Sequence, residues 1–167
     1  MDFGRIVRHL LEPGCRARRA FPARAMDAIG SAIRQSESGH RGEVRFAVEG
    51  SLGLAALMRG VTPRQRAREV FASLGVWDTA ENNGVLIYLM LADRDVEIVA
   101  DRGVHERVGA DGWESICRDM EAEFRAGRFE SGVLRGIAAI SAILAAEFPA
   151  TDGRENANEL PDAPVTL

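Results

Sequence analysis

Residues 83–100, NGVLIYLMLADRDVEIVA, decide the fold. Val85 to Met90 is apolar at every position, a run that needs cover on both faces and therefore reads as a central strand. Asn82-Asn83-Gly84 supplies the turn that leads into it. Asp93-Arg94 then leaves so short a connection to the strand-like Val96-Glu97-Ile98-Val99 that the two runs must form an antiparallel hairpin.

Working upstream, Glu43 to Glu49 alternates with period two and places Val44, Phe46 and Val48 on one face, the pattern of a half-buried strand closed by Gly50. Between the two strands, Thr62-Pro63-Arg64-Gln65 carries an N-cap, a proline at the first helical position and a glutamine three residues after the cap. The helix it starts has Ala67, Val70, Phe71 and Leu74 as its apolar stripe and stops at Gly75. A helical crossover makes the first two strands parallel. Residues 51–60, SLGLAALMRG, form a single helical turn or a packed loop. Phe21-Pro22 opens an earlier helix with Met26, Ile29 and Ile33 inward.

Downstream, residues 101–112 (DRGVHERVGADG) read as a loop. Two further stripes follow, Trp113, Ile116, Cys117, Met120 and Phe124, then Val133, Ile137, Ile140 and Leu144, with Gly127 between them. The fold class is therefore α/β: one three-layer, α/β/α-like domain whose small mixed sheet is flanked by helices. Residues 1–20 form an N-terminal basic helical segment, 21–150 the α/β domain, and 151–167 an acidic tail expected to be disordered. Phe3, Ile6, Val7, Leu10 and Leu11 beside Arg5 and Arg8 have the composition of a membrane-surface helix, although docking onto the domain's own core is the simpler expectation.

At 167 residues, 46% hydrophobic and 28% charged, the chain can bury a core of its own. Every one of its 21 basic residues is an arginine, but the net charge is −4 and no aromatics interleave with them, so nucleic acid is not the expected partner. No signal-peptide pattern and no long transmembrane run is evident, and the expected location is cytoplasmic. Cys15 and Cys117 lack metal-ligand spacing.

Residues 67–109 (AREVFASLGVWDTAENNGVLIYLMLADRDVEIVADRGVHERVG), followed by FRAGRFESGVLRGI at 124–137, resemble the TPM domain over roughly residues 21–148. The resemblance rests on an amphipathic helix, Asn83-Gly84 before the apolar strand, Asp93-Arg94 at the hairpin tip, Gly103 to Glu106, and Phe124-Arg125, Gly127, Phe129 and Gly132 at a helix junction. Some members of that family bind calcium, some are acid phosphatases, and many assist membrane complexes. The resemblance therefore implies a non-catalytic accessory or interaction module, calcium as the metal, and a protein partner associated with a membrane. Its alternative is a metal-assisted acid phosphatase, for which no catalytic residue is identified. His105 stands where the family commonly has leucine.

Ligands of open α/β sheets sit beyond the carboxyl ends of the parallel strands. Glu49, Asp93 and Asp95 leave the strands there and could offer oxygens to a hard cation such as calcium. Equally, Asp93-Arg94 could serve a tight turn with Asp95 solvated. Arg94, Arg125 and Arg128 are candidate contacts for an anion or a partner. The other edge gathers Glu37, His40, Glu43, Asn82, Asn83, Asp101, His105, Glu106 and Asp111, without metal-site spacing. No glycine loop for an organic cofactor is present.

Overall fold

The computed structural model describes residues 2–12, 15–150 and 158–167. Its elements run α1 (Phe3–Leu11), α2 (Arg16–Ala20), α3 (Ala23–Glu37), β1 (Glu43–Glu49), α4 (Leu54–Met58), α5 (Pro63–Ser73), β2 (Gly84–Met90), β3 (Asp95–Ala100), α6 (Arg102–Arg125), α7 (Phe129–Glu147) and β4 (Val165–Thr166). The sheet order is β3-β2-β1-β4, with β1 parallel to β2 and to β4, and β2 antiparallel to β3. The expected α/β architecture, a mixed sheet between helices, is the one observed.

Strand periodicity sorts the side chains. Val44, Phe46, Val48, Val85, Ile87 and Leu89 meet the stripes of α3, α6 and α7 on one face. Leu86, Tyr88 and Met90 meet α4 and α5 on the other. The capping box of α5 forms as its sequence dictates: Thr62 Oγ1 accepts from the Gln65 N–H at 3.2 Å, and Gln65 Oε1 accepts from the Thr62 N–H at 2.9 Å. Two glycines of the TPM pattern are steric necessities. A Cβ on Gly84 would lie 1.9 Å from Val76 O, and one on Gly103 would lie 2.5 Å from Asn82 O, so backbone passes where any side chain would stand.

Several expectations are corrected. Residues 101–112 are not a loop: α6 begins at Arg102, capped by Asp101, and only Gly109 (φ 73°) breaks it. Of the two readings of residues 51–60, the helical turn is the one observed, as a short helix over residues 54–58. β1 is buried on both faces, and its polar alternates are each given partners. Much of that cover comes from residues 158–167, which are docked rather than disordered; residues 151–157 lie outside the described residues. Glu43 accepts from the Glu159 and Leu160 N–H groups at 3.3 and 3.2 Å, Arg34 pairs with Asp162 at 2.8 Å, and Leu160 is buried. The segment holds on by polar contacts and a two-residue strand, which a count of large apolar residues overlooks.

α7 is long and apolar enough to cross a membrane by length and composition. Here its apolarity has a local cause, because Val133, Ile137, Ile140 and Leu144 pack into the core.

Candidate functional site

The edge where β1 and β2 end is closed by α1. This nine-residue helix is capped by Asp2, whose side chain accepts the Arg5 N–H. Arg5 and His9 lie four residues apart and so share one face. Arg5 Nε lies 2.9 Å from Asp93 Oδ1, Arg5 Nη2 2.7 Å from Oδ2, and Arg5 Nη1 2.8 Å from the Val61 carbonyl. His9 is buried; its Nδ1 accepts the Leu52 N–H at 2.9 Å, so the ring proton sits on Nε2, which lies 3.1 Å from Asp93 Oδ1. Burial alone would raise the Asp93 carboxyl, but the hydrogen bonds from Arg5 and His9 outweigh it and hold the carboxyl below the usual aspartate range.

Glu49 is engaged separately. Its Oε2 accepts from Arg66 Nε at 2.8 Å and from the Tyr88 hydroxyl at 2.7 Å, and its Oε1 accepts from Arg66 Nη2 at 3.2 Å. Burial, and then the Glu49 contact, raise the Tyr88 hydroxyl above its ordinary range. Asp95 has no such arginine: its Oδ1 is buried without a hydrogen-bond partner, and burial, with Glu97, Glu121 and Asp93 nearby, pushes its carboxyl up to about 7.

The three acids singled out for a cation thus do not form one ligand set. Glu49 and Asp93 have their oxygens filled by cationic or hydroxyl donors, and Asp95 favours its protonated form toward neutral pH. Among the described residues no group of three or more His, Cys, Asp or Glu side chains is arranged to hold a metal ion. These residues do not fit calcium as a shared ligand.

The arginines fare differently. The α6–α7 junction does reach this edge, where Arg16, Arg94 and Arg125 ring a cavity of about 250 Å³ whose floor includes Leu89, Leu91, Phe124 and Phe129. Arg94 is exposed, has a left-handed backbone (φ 56°) and makes no ion pair among the described residues. Arg125 pairs with Glu121 at 2.8 Å but keeps most of its side chain in solvent. Arg128 lies elsewhere: with Arg135 it grips Glu123, at 2.7 and 2.9 Å, on the wall of a separate, wider groove.

At the opposite edge the polar groups serve the fold. His40 is buried with Nδ1 3.0 Å from Gly42 O, and burial lowers its basicity, whereas His105 is exposed. Burial, and next the charge of Glu43, push the Glu37 carboxyl up to about 8. Asn83 Nδ2 donates to Arg41 O at 2.6 Å, and Asp101 caps α6. Sequence reasoning passed over His9 and the role of Arg5. Their i, i+4 spacing on a capped helix was the available signal, but only the docked position of α1 shows that both converge on Asp93.

No curated protein matches the chain. Two solved structures are similar. The BA42 protein of the psychrophilic bacterium Bizionia argentinensis superposes with a TM-score of 0.76 at 29% identity, over 88% of this chain and 95% of that one. The N-terminal domain of a protein from P. gingivalis superposes with a TM-score of 0.63 at 18% identity, over 83% and 93%, a likeness of fold alone. The TPM domain model matches residues 19–143, which include both close-approach glycines, the Asp93-Arg94 hairpin and the α6–α7 junction, and the chain belongs to the TPM domain family.

Proposed function

We propose that this chain is a non-catalytic interaction module of the TPM type, whose strand-exit edge receives an acidic, apolar segment of a protein partner. The observation that carries this reading is the division of labour at that edge. Glu49 and Asp93 are neutralised by the chain's own side chains, while Arg94 is left exposed beside an apolar floor with Arg16 and Arg125. Guanidinium groups favour carboxylates through paired hydrogen bonds, and the leucine and phenylalanine floor supplies the burial that a charged rim alone lacks.

A second reading, phosphoester hydrolysis, is favoured by Asp95 alone, because a carboxyl titrating near 7 suits a general acid. Two measurements separate the two. In an NMR titration with a short synthetic peptide of alternating aspartate and leucine, saturable shifts at Arg94, Arg125 and Phe129 are expected, with none for a peptide carrying lysine in place of aspartate. Absence of saturable shifts at these positions overturns the module reading. So does turnover of p-nitrophenyl phosphate with calcium, magnesium or manganese, if Asp95→Asn abolishes it.

A further inference from the structure

In α1, Phe3, Val7, Leu10 and Leu11 recur at i, i+4, i+7 and i+8, the apolar stripe that a helix of a globular protein turns toward its core. Here three of its four members are turned outward: Phe3 is 77% exposed, Leu10 61% and Leu11 75%, while Val7 is half-buried. The side that docks is the polar one, carrying Arg5 and His9 into their contacts with Asp93, Val61 and Leu52; Ile6 is its apolar companion. Two polar anchors, buried His9 and half-buried Arg5, thus fix the roll of the helix about its axis. The neighbouring α4, which packs against α1, adds exposed Leu54 and Met58.

Arginines outnumber acids around this surface, where Glu12 and Asp93 stand among Arg8, Arg16 and Arg94. Both acids of the segment are turned to internal use, Asp2 as the cap of α1 and Glu12 as the partner of Arg16 at 2.8 Å. Arg8, with more than half of its side chain exposed, lines a concavity of about 520 Å³ with Leu11, Arg16 and Arg94. Arg18 and Arg19 are exposed on α2. An apolar stripe bordered by an excess of arginines over acids matches the two layers of an anionic bilayer surface, acyl chains below and phosphates above. A second copy of this chain would bring the same arginines face to face.

We infer that α1 is an interfacial anchor that lays Phe3, Leu10 and Leu11 into an anionic lipid surface while Arg5 and His9 keep it seated on the domain. The inference is independent of the peptide-binding reading above, because it concerns another surface and a lipid. The test is co-sedimentation of the full chain with vesicles of phosphatidylglycerol and phosphatidylcholine in equal parts, against vesicles of phosphatidylcholine alone. Binding to the mixed vesicles, weakened by salt and absent from the neutral ones, is expected. Leu10→Ser with Leu11→Ser should reduce it about tenfold or more, and Arg8→Glu with Arg18→Glu should do likewise. All four positions are exposed, and an unchanged circular dichroism spectrum and melting temperature show that the variants fold. Failure to bind the mixed vesicles, equal binding to neutral vesicles, or wild-type binding by the double leucine variant overturns the inference. A dimer in sedimentation, dispersed by the leucine changes in a chain that ignores vesicles, overturns it in favour of a subunit interface.

Discussion

Arg5 and Asp93, 88 residues apart in the chain, meet fork to fork, with both carboxylate oxygens filled at 2.9 and 2.7 Å. The pair ties the N-terminal helix to the hairpin tip, and both side chains are largely shielded from solvent. Arg5→Ala would leave a shielded carboxylate with only His9 and the more distant Arg8 guanidinium at 4.0 Å, a loss of roughly 1–3 kcal/mol by chemical denaturation. The sign of the pH dependence follows from Asp93 being held low. Its contribution is present above the unfolded aspartate value of about 3.9 and is lost as pH falls through the lower folded value. The stability gap between wild type and variant should therefore narrow below about pH 4; a gap that widens in acid would refute the pairing.

Removing residues 158–167 should destabilise the protein. The deletion strips Glu43 of two N–H donors, uncovers the face of β1 beneath Leu160 and takes β4 from the sheet edge. A loss of about 2 kcal/mol corresponds to a drop of roughly 4–8 °C in melting temperature for a chain of this size. Calorimetry on a chain ending at residue 157 checks it, and an unchanged midpoint would mean that the segment is not held.

Glu37 gives the opposite pH sign to Asp93. Its carboxyl is pushed up to about 8, first by burial and then by Glu43. Stability from such a group is fully present below the unfolded value of about 4.3 and is lost as pH rises toward the folded one. Wild type should weaken between about pH 5 and pH 8, and Glu37→Gln should flatten that slope. Urea midpoints across this range measure it; parallel slopes for the two proteins would exclude Glu37 as the source.

Arg94 holds a left-handed backbone at the hairpin tip, which costs a side-chain-bearing residue more than glycine. Arg94→Gly should stabilise the fold by roughly 1 kcal/mol. The same change should weaken capture of the aspartate-leucine peptide about tenfold, the loss of one charge-assisted contact. Thermal melts and the peptide titration read the two effects separately. A variant that binds as well as wild type would remove Arg94 from the surface proposed for the partner.

Much of the architecture was legible because it is local. Val85 to Met90 is apolar throughout, Asp93-Arg94 is too short for anything but a hairpin, and the stripes through Trp113 and Val133 repeat at helical spacing. Even the loop that proved to be α6 failed for a local reason, since Gly103 and Gly109 imitate a loop when one meets a neighbouring turn and the other breaks the helix.

Periodicity specifies which face of an element is apolar, but it does not say which distant polar group will fill a given oxygen. Glu49 and Asp93 look from the chain like free ligands at a strand-exit edge. Only folding brings Arg66 and Tyr88 to one, and Arg5 and His9 to the other. The roll of α1 was likewise beyond reach of its own sequence. Its apolar stripe argues for inward burial, and polar contacts to residues far along the chain turn it outward: the Arg5–Asp93 pair and the Leu52 N–H on His9 Nδ1 hold the opposite face against the domain, leaving three apolar side chains exposed.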